Sequence, residues 1–198
     1  INFPTESAIA WEVVLQSLKE RGLKEIGLIV CDSLTAIEDS IWRQFPKTEI
    51  QLCAIHLQRN VNKHIKPKDK ALVAEDLREV LRTGDRNDTV EKGYQRWLEF
   101  CSKWGKYYPS IKRMGENERY KLNFTYLGYD YRTHNMLYST NWIERLNRDY
   151  KRTTRMRGAL PGPDATILLL GYVAMTRSAY QRKIPKIDYE QNKFHWEE

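Results

Sequence analysis

The sequence predicts an α/β protein with an incomplete core and an all-helical insertion. In its first third, two short predicted strands, the first of them an apolar run, alternate with amphipathic helical patterns. Residues 66–135 then show helical periodicity without a strong strand signal, and a highly charged helical pattern follows. Strands that alternate with helices indicate a parallel sheet flanked by helices, so we expect the insertion to interrupt such a core.

The first third contains the elements of this core. Residues 5–21 place Trp11, Leu15 and Leu18 on one helical face. Residues 25–31 form an apolar run that ends at Asp32, which we predict to be a buried strand with a carboxylate at its tip. The predicted elements that follow are a helix capped by Ser33 and ended by Pro46, a strand at 48–53 and a helix at 54–65. Open sheets of this kind place their sites at the carboxyl ends of strands, where Asp32 lies.

The rest of the chain is predicted to be helical. Helices are expected at 70–82 and 88–104, whereas the aromatic stretch 120–131 is compatible with a loop or a short helix. Thr140–Arg157 reads as a charged helix, and Asp164 is a candidate cap for an apolar helix at 165–182. We therefore divide the chain into a partial core (1–65), a helical insertion (66–135), core helices (136–182) and a tail (183–198).

Composition narrows the class of protein. The formal net charge of +7 favours a polyanionic partner such as nucleic acid, although a generic basic protein fits it equally well. Three widely spaced cysteines make no disulfide framework and fit a reducing compartment. The longest apolar stretch, Ala165–Met175, is well short of the roughly 20 residues that a bilayer requires, so we expect a cytoplasmic protein without a membrane partner.

The charged helix combines one carboxylate with a row of cations. Glu144, Arg148, Lys151 and Arg155 stand at i, i+4, i+7 and i+11, which places them on one helical face. Residues 132–157 hold seven cationic side chains and two acidic ones. Such a face suits a DNA phosphate backbone, but a solvated helix crossed by i, i+4 ion pairs has the same pattern.

Two sequence blocks carry a resemblance to a known family. The string STNWIERLNR at 139–148, with a cation seven residues after its glutamate, resembles the catalytic-glutamate helix of the Mutator-like bacterial insertion-sequence transposases, which are DDE enzymes. The strand that ends at Asp32, followed by CAIHLQRN at 53–60, resembles the second-aspartate strand and C-x-x-H block of that family. The resemblance covers nearly the whole chain, and the order of the motifs is more specific than any one of them.

The resemblance implies a ribonuclease-H-like core that is interrupted by a helical insertion before the final catalytic helix. Asp32 would be the second acid and Glu144 the third, and together they would hold Mg²⁺ or Mn²⁺ in a two-metal site. Double-stranded DNA, as transposon ends and target, is the implied partner of a homo-oligomer that associates with the nucleoid. The residues implied to contact DNA are Arg59, Arg145, Arg148, Lys151, Arg152 and Arg155, and those implied to support the active site are Cys53, His56, Asn141 and Asn147.

The sequence departs from the family in one respect. The first acid is expected upstream of Asp32, but residues 1–31 contain no aspartate. We therefore expect the chain to start inside the catalytic domain and to be inactive alone. Two rival hypotheses remain. One is a non-catalytic DNA-binding protein derived from a decayed or domesticated transposase, and the other is a different ribonuclease-H-like nuclease.

The C-x-x-H block also allows other roles. Cys53 and His56, with Cys31 nearby, provide three candidate zinc ligands, whereas a structural zinc site requires four. A buried cysteine and a histidine that hydrogen-bonds within the core are the alternative. Arg59 lies three residues after His56 and either lines a DNA channel or belongs to a solvated face.

Overall fold

A computed structural model describes residues 8–32, 35–157, 160 and 162–176. The described residues fall into two compact units, one within residues 8–139 and one within residues 140–176, and each is described by itself. The predicted cap at Ser33 and the predicted tail at 183–198 lie outside the described residues.

The first unit begins with the alternation that the sequence predicts. Its elements are α1 (Ala8–Glu20), β1 (Leu28–Cys31), α2 (Thr35–Gln44), β2 (Glu49–Leu52) and α3 (Ala54–Lys63). The two strands pair in parallel, from Leu28 with Glu49 to Cys31 with Leu52, and α2 forms the crossover between them. Parallel strands joined through a helix are the defining unit of α/β architecture, which agrees with the predicted class.

Helices α1 and α2 and both strands share one apolar core. Ile41 of α2 and Ile50 of β2 are almost fully buried, at 1% and 2% exposed, and each burial contributes about 1.5–3 kcal/mol of transfer free energy. Trp11 and Leu18, on the predicted face of α1, pack against the edge of this cluster. The core residues are Leu15, Cys31, Ile37, Ile41, Phe45, Ile50 and Leu52.

Between residues 66 and 135 the secondary structure is helical. It comprises a 3₁₀ turn (Pro67–Asp69), α4 (Lys70–Val80), α5 (Val90–Gly105), α6 (Pro109–Gly115), a 3₁₀ segment (Glu118–Gly128) and α7 (His134–Leu137). The ambiguous aromatic stretch thus falls largely in the 3₁₀ segment. These helices bury a second cluster that includes Trp97, Phe100, Ile111 and Phe124. The boundaries of an insertion remain a prediction.

The 3₁₀ segment lies along β2 and satisfies polar groups there. The fully buried Gln51 side chain donates from Nε2 to the Asn123 carbonyl at 2.9 Å and accepts from the Tyr126 backbone N–H at 2.7 Å. Thr125 Oγ1 donates to the Ile50 carbonyl at 2.8 Å. Because a strand edge with unpaired backbone groups is a site of unwanted pairing, these contacts cover β2 and connect the two cores.

The second unit contains α8 (Asn141–Met156) and α9 (Pro163–Thr176), which pack against each other. Helix α9 begins one residue before the predicted cap, so Asp164 lies in the first helical turn instead. Proline suits the first helical position because its φ is already helical and its missing N–H is not needed there. Among the described residues, no helix is long and apolar enough to cross a membrane.

Candidate functional site at the carboxyl ends of the strands

Two candidate residues follow directly on the two paired strands. Asp32 comes after β1, and Cys53 comes after β2. Because the strands are parallel, both residues lie at the same edge of the sheet, where the Cys53 backbone N–H donates to the Cys31 carbonyl at 2.8 Å. The Asp32 side chain is 47% exposed, whereas Cys53 is fully buried. This edge therefore presents a carboxylate to solvent above a buried thiol.

His56, in the first turn of α3, joins these two residues. Its Nδ1 lies 3.0 Å from Asp32 Oδ1, yet that nitrogen has no hydrogen-bond partner, so the two atoms are close without being aligned as donor and acceptor. Its Nε2 lies 3.4 Å from Nη1 of Arg59. Since arginine can only donate, Nε2 is the acceptor in this pair. The imidazole thus lies between a carboxylate and an exposed cation.

Asp32, Cys53 and His56 form a compact cluster of potential metal ligands. One ligand atom from each lies within 4.8 Å of the other two, and in the described part of the chain no further group of three shows such an arrangement. The sequence instead offers Cys31 as the third candidate ligand beside Cys53 and His56. Cys31 is the last residue of β1 and packs in the apolar core, whereas Asp32 follows the strand and lies in this cluster.

Cys31 lies in the apolar core. Burial, together with the neighbouring carboxylates of Glu38 and Asp32, raises the pKa of the Cys31 thiol to about 12. Glu38 is itself buried and forms an ion pair with Arg119 of the 3₁₀ segment, a long-range contact that no sequence pattern indicated. A thiol with so high a pKa stays protonated and suits packing rather than chemistry.

The start of α3 is held by a distant part of the chain. The Ala54 backbone N–H donates to the Tyr138 carbonyl at 2.9 Å, just after α7. The first N–H groups of a helix lack partners within the helix, so the Tyr138 carbonyl takes the place of a capping side chain. The chain therefore returns to the carboxyl edge of the sheet shortly before α8 begins at Asn141.

Helix α8 carries the predicted basic face. It is continuous from Asn141 to Met156, so Glu144 and the cations four, seven and eleven residues later do fall on one face. Glu144 is half-buried, and Leu146 is the buried residue of the helix. The exposed cations are Arg145, Arg148, Lys151, Arg152 and Arg155.

The structure brings four of the predicted site residues together, namely Asp32, Cys53, His56 and Arg59, within the first unit. The remaining ones belong to the second unit, on α8. There Asn141 is half-buried at the first position of the helix, and Asn147 is exposed. Their roles remain predictions.

Comparison with known proteins defines the family. The sequence profile described as "Transposase, Mutator family" matches residues 1–182, which is most of the chain. The chain therefore belongs to the Mutator family of transposases.

Individual relatives agree with this assignment. The chain is 31% identical over 185 residues to the transposase for insertion sequence element ISRM3 of Rhizobium meliloti, an alignment that covers 90% of this chain and 44% of the relative. It is 28% identical over 162 residues to the IS905 transposase of Lactococcus lactis, with coverage of 82% and 40%. A transposase from Staphylococcus aureus, for element IS256 in transposon Tn4001, is 26% identical, with coverage of 86% and 43%. The chain thus spans less than half the length of these relatives.

Proposed function

We propose that this chain is a catalytic segment of a transposase and acts in metal-dependent cleavage and transfer of DNA strands. In this proposal its sheet belongs to a ribonuclease-H-like core, Asp32 is the second acid of a DDE set and Glu144 is the third. The observation that carries the proposal is the position of Asp32, a solvent-accessible carboxylate at the carboxyl edge of a parallel strand pair in a member of this family.

The residues present fit a magnesium or manganese site in their chemistry. Both ions prefer carboxylate oxygens and retain several waters, and Asp32 offers such oxygens on an accessible edge. When bound, two such ions activate the attacking oxygen and stabilise the leaving oxygen at phosphorus. Asp32 and Glu144 provide two of the three acids, and residues 1–31 contribute no aspartate. We therefore expect the 198-residue chain to cleave no DNA by itself.

The chain's cations have a separate role in this proposal. The exposed arginines and lysine of α8 hold DNA phosphates, Arg59 contacts the backbone beside the acids, and the amides of Asn141 and Asn147 provide neutral hydrogen bonds to phosphate or sugar oxygens. Phosphate contacts fix the position of DNA without reading its sequence. By family likeness, we propose that a homo-oligomer performs the reaction on DNA.

A double-mutant cycle on Mn²⁺ binding tests whether Asp32 and Glu144 share an ion. Mn²⁺ binding to the purified chain would be titrated by electron paramagnetic resonance for Asp32→Asn, Glu144→Gln and the double variant. If one ion contacts both acids, each single variant weakens binding and the double variant is little worse than either, because contacting groups are not additive. Asp149→Asn, on the same helix, is the matched control. Fully additive effects, or an effect of only one acid, would contradict the shared site.

The exposed basic face of α8 also favours a second candidate, a DNA-binding protein without catalytic activity. In that case Glu144 has no metal to hold, and its negative charge only opposes the phosphates. Glu144→Ala would then leave DNA affinity intact or raise it, whether or not Mn²⁺ is present. The transposase proposal instead predicts that Mn²⁺ strengthens DNA binding and that Glu144→Ala removes this dependence.

A further inference from the structure

A thiol, an imidazole and a carboxylate converge at the carboxyl edge of the parallel strands, and we propose that they bind a divalent cation of the zinc class. Ligand atoms of Asp32, Cys53 and His56 lie within 4.8 Å of one another. Cysteine sulfur, histidine nitrogen and aspartate oxygen are the three protein ligands that zinc takes. A soft thiolate favours zinc over magnesium, so this site differs in chemistry from the carboxylate pair proposed above.

The spacing of the oxygen and nitrogen ligand atoms suits a common ion, and the sulfur lies within 4.8 Å of both. Around a tetrahedral zinc, oxygen and nitrogen ligands at about 2.0 Å are separated by about 3.3 Å, and sulfur and nitrogen by about 3.5 Å. Asp32 Oδ1 and His56 Nδ1 are 3.0 Å apart without forming a hydrogen bond. Two polar atoms that lie side by side, instead of pointing at each other, have the arrangement of neighbouring ligands.

Backbone contacts hold the ligands in place. Cys53 is fully buried between β2 and α3, and the hydrogen bond from its N–H to the Cys31 carbonyl fixes it to β1. The bond from Ala54 to Tyr138 fixes the first turn of α3, which carries His56. Asp32 and His56 are 47% and 31% exposed, so solvent reaches the cluster. Three protein ligands with an accessible fourth position describe an exchangeable zinc site rather than a closed structural one.

Arg59 affects metal binding at this site through its contact with His56. It donates to Nε2 of His56, which leaves the imidazole proton on Nδ1, whereas coordination through Nδ1 requires the proton on Nε2. Ion binding therefore has to displace the exposed Arg59 side chain. Glutamine at this position removes a positive charge and offers a carbonyl oxygen to the Nε2 proton, as the outer-shell partners of metal-bound histidines do. We expect Arg59→Gln to raise metal affinity about tenfold.

This proposal shares Asp32 with the proposed function, but it needs neither Glu144 nor DNA. Binding converts the Cys53 thiol into a thiolate and releases its proton to solvent, so proton release accompanies metal uptake. The loss of Cys53 should abolish zinc-class binding and leave Mn²⁺ binding unchanged. Failure of one proposal is therefore distinguishable from failure of the other.

The test is a Co²⁺ titration of the purified chain, followed by absorption spectroscopy. We expect an intense sulfur-to-cobalt charge-transfer band that Zn²⁺ displaces. Loss of an outer-shell partner of a metal ligand costs roughly 10- to 100-fold in metal affinity. Cys53→Ser and His56→Gln each remove a direct ligand, so each should weaken Co²⁺ binding by more than that. Cys101→Ala removes a buried cysteine from the helical core and is the matched control, which should retain the band.

Several results would overturn the proposal. These are the absence of a sulfur-to-cobalt band in the unaltered chain, a band that persists in Cys53→Ser, and a band unaffected by His56→Gln. A lower affinity in Arg59→Gln would contradict coordination through Nδ1. If circular dichroism shows that Cys53→Ser does not fold, His56→Gln decides the question, since His56 is partly exposed and its replacement leaves the core intact.

Discussion

The basic face of α8 makes a quantitative prediction about DNA binding. Arg148 and Lys151 are exposed, lie on the face of Glu144, and are about 4.5 Å apart along the helix axis. Consecutive phosphates of one DNA strand are about 3.4 Å apart along the duplex axis, so each cation can neutralise its own phosphate. Arg148→Ala/Lys151→Ala should therefore lower the slope of log affinity against log salt by about 1.8. Over a rise from about 50 to 200 mM salt, the unaltered chain should lose about 12-fold more affinity than the variant.

The assay is fluorescence anisotropy with one duplex at several salt concentrations. The matched control is Lys68→Ala/Arg86→Ala, which removes two exposed cations from the first unit and gives the same net charge of +5. Because long-range attraction depends on net charge, only direct phosphate contacts can separate the two double variants. Equal changes of slope in both would refute the reasoning, since they would show that the α8 cations act through overall charge alone.

Three further predictions concern stability. A Cβ at Gly93 of α5 would lie 2.4 Å from Leu127 Cδ1 and 2.8 Å from Phe124 Cδ1, so Gly93→Ala should destabilise the fold by about 1–2 kcal/mol in urea denaturation. At Gly171 of α9 a Cβ meets nothing within 4 Å, and the alanine variant should gain up to about 1 kcal/mol in the same assay. Asp88 has a fully buried side chain. Burial alone would raise the pKa of Asp88, but hydrogen bonds from Arg96 and Arg82 lower this pKa overall. The Asp88 carboxylate therefore stabilises the fold above about pH 4, and this stabilisation is lost as the pH falls further. Asp88→Asn should cost about 2–3 kcal/mol at neutral pH and flatten this acid dependence.

Local patterns in the sequence were sufficient for the helices and strands in the first third of the chain. The apolar run at 25–31 predicted β1, because a strand buried between helices needs a continuous run of apolar side chains, and the segment 48–53 was predicted to be the strand that the structure shows as β2. The helical face with Trp11 and Leu18 likewise predicted how α1 packs. The 3₁₀ segment could not be assigned, because its conformation depends on contacts with β2 more than 70 residues earlier in the chain.

The residues of the candidate site could be predicted from local sequence patterns, but their arrangement could not. Asp32 and the C-x-x-H block were recognisable because each lies next to a strand end. Their assembly into one cluster depends on parallel pairing, which is a long-range property. Sequence proximity therefore suggested Cys31 as the third ligand, whereas the structure brings Asp32 to Cys53 and His56. The capping carbonyl of Tyr138 is a backbone group and leaves no trace in the residue types.

Asp32 connects the two proposed metal sites, and this has a chemical consequence. A hard ion shared with Glu144 and a soft ion shared with Cys53 and His56 would compete for one carboxylate. Zinc binds nitrogen and sulfur ligands far more strongly than magnesium does, so occupation of the Cys53 site would remove an acid from the magnesium set. Zn²⁺ should therefore weaken Mn²⁺ binding in the unaltered chain but not in Cys53→Ser. If both proposals hold, the buried thiol beneath an accessible carboxylate makes this edge of the sheet sensitive to which cation binds.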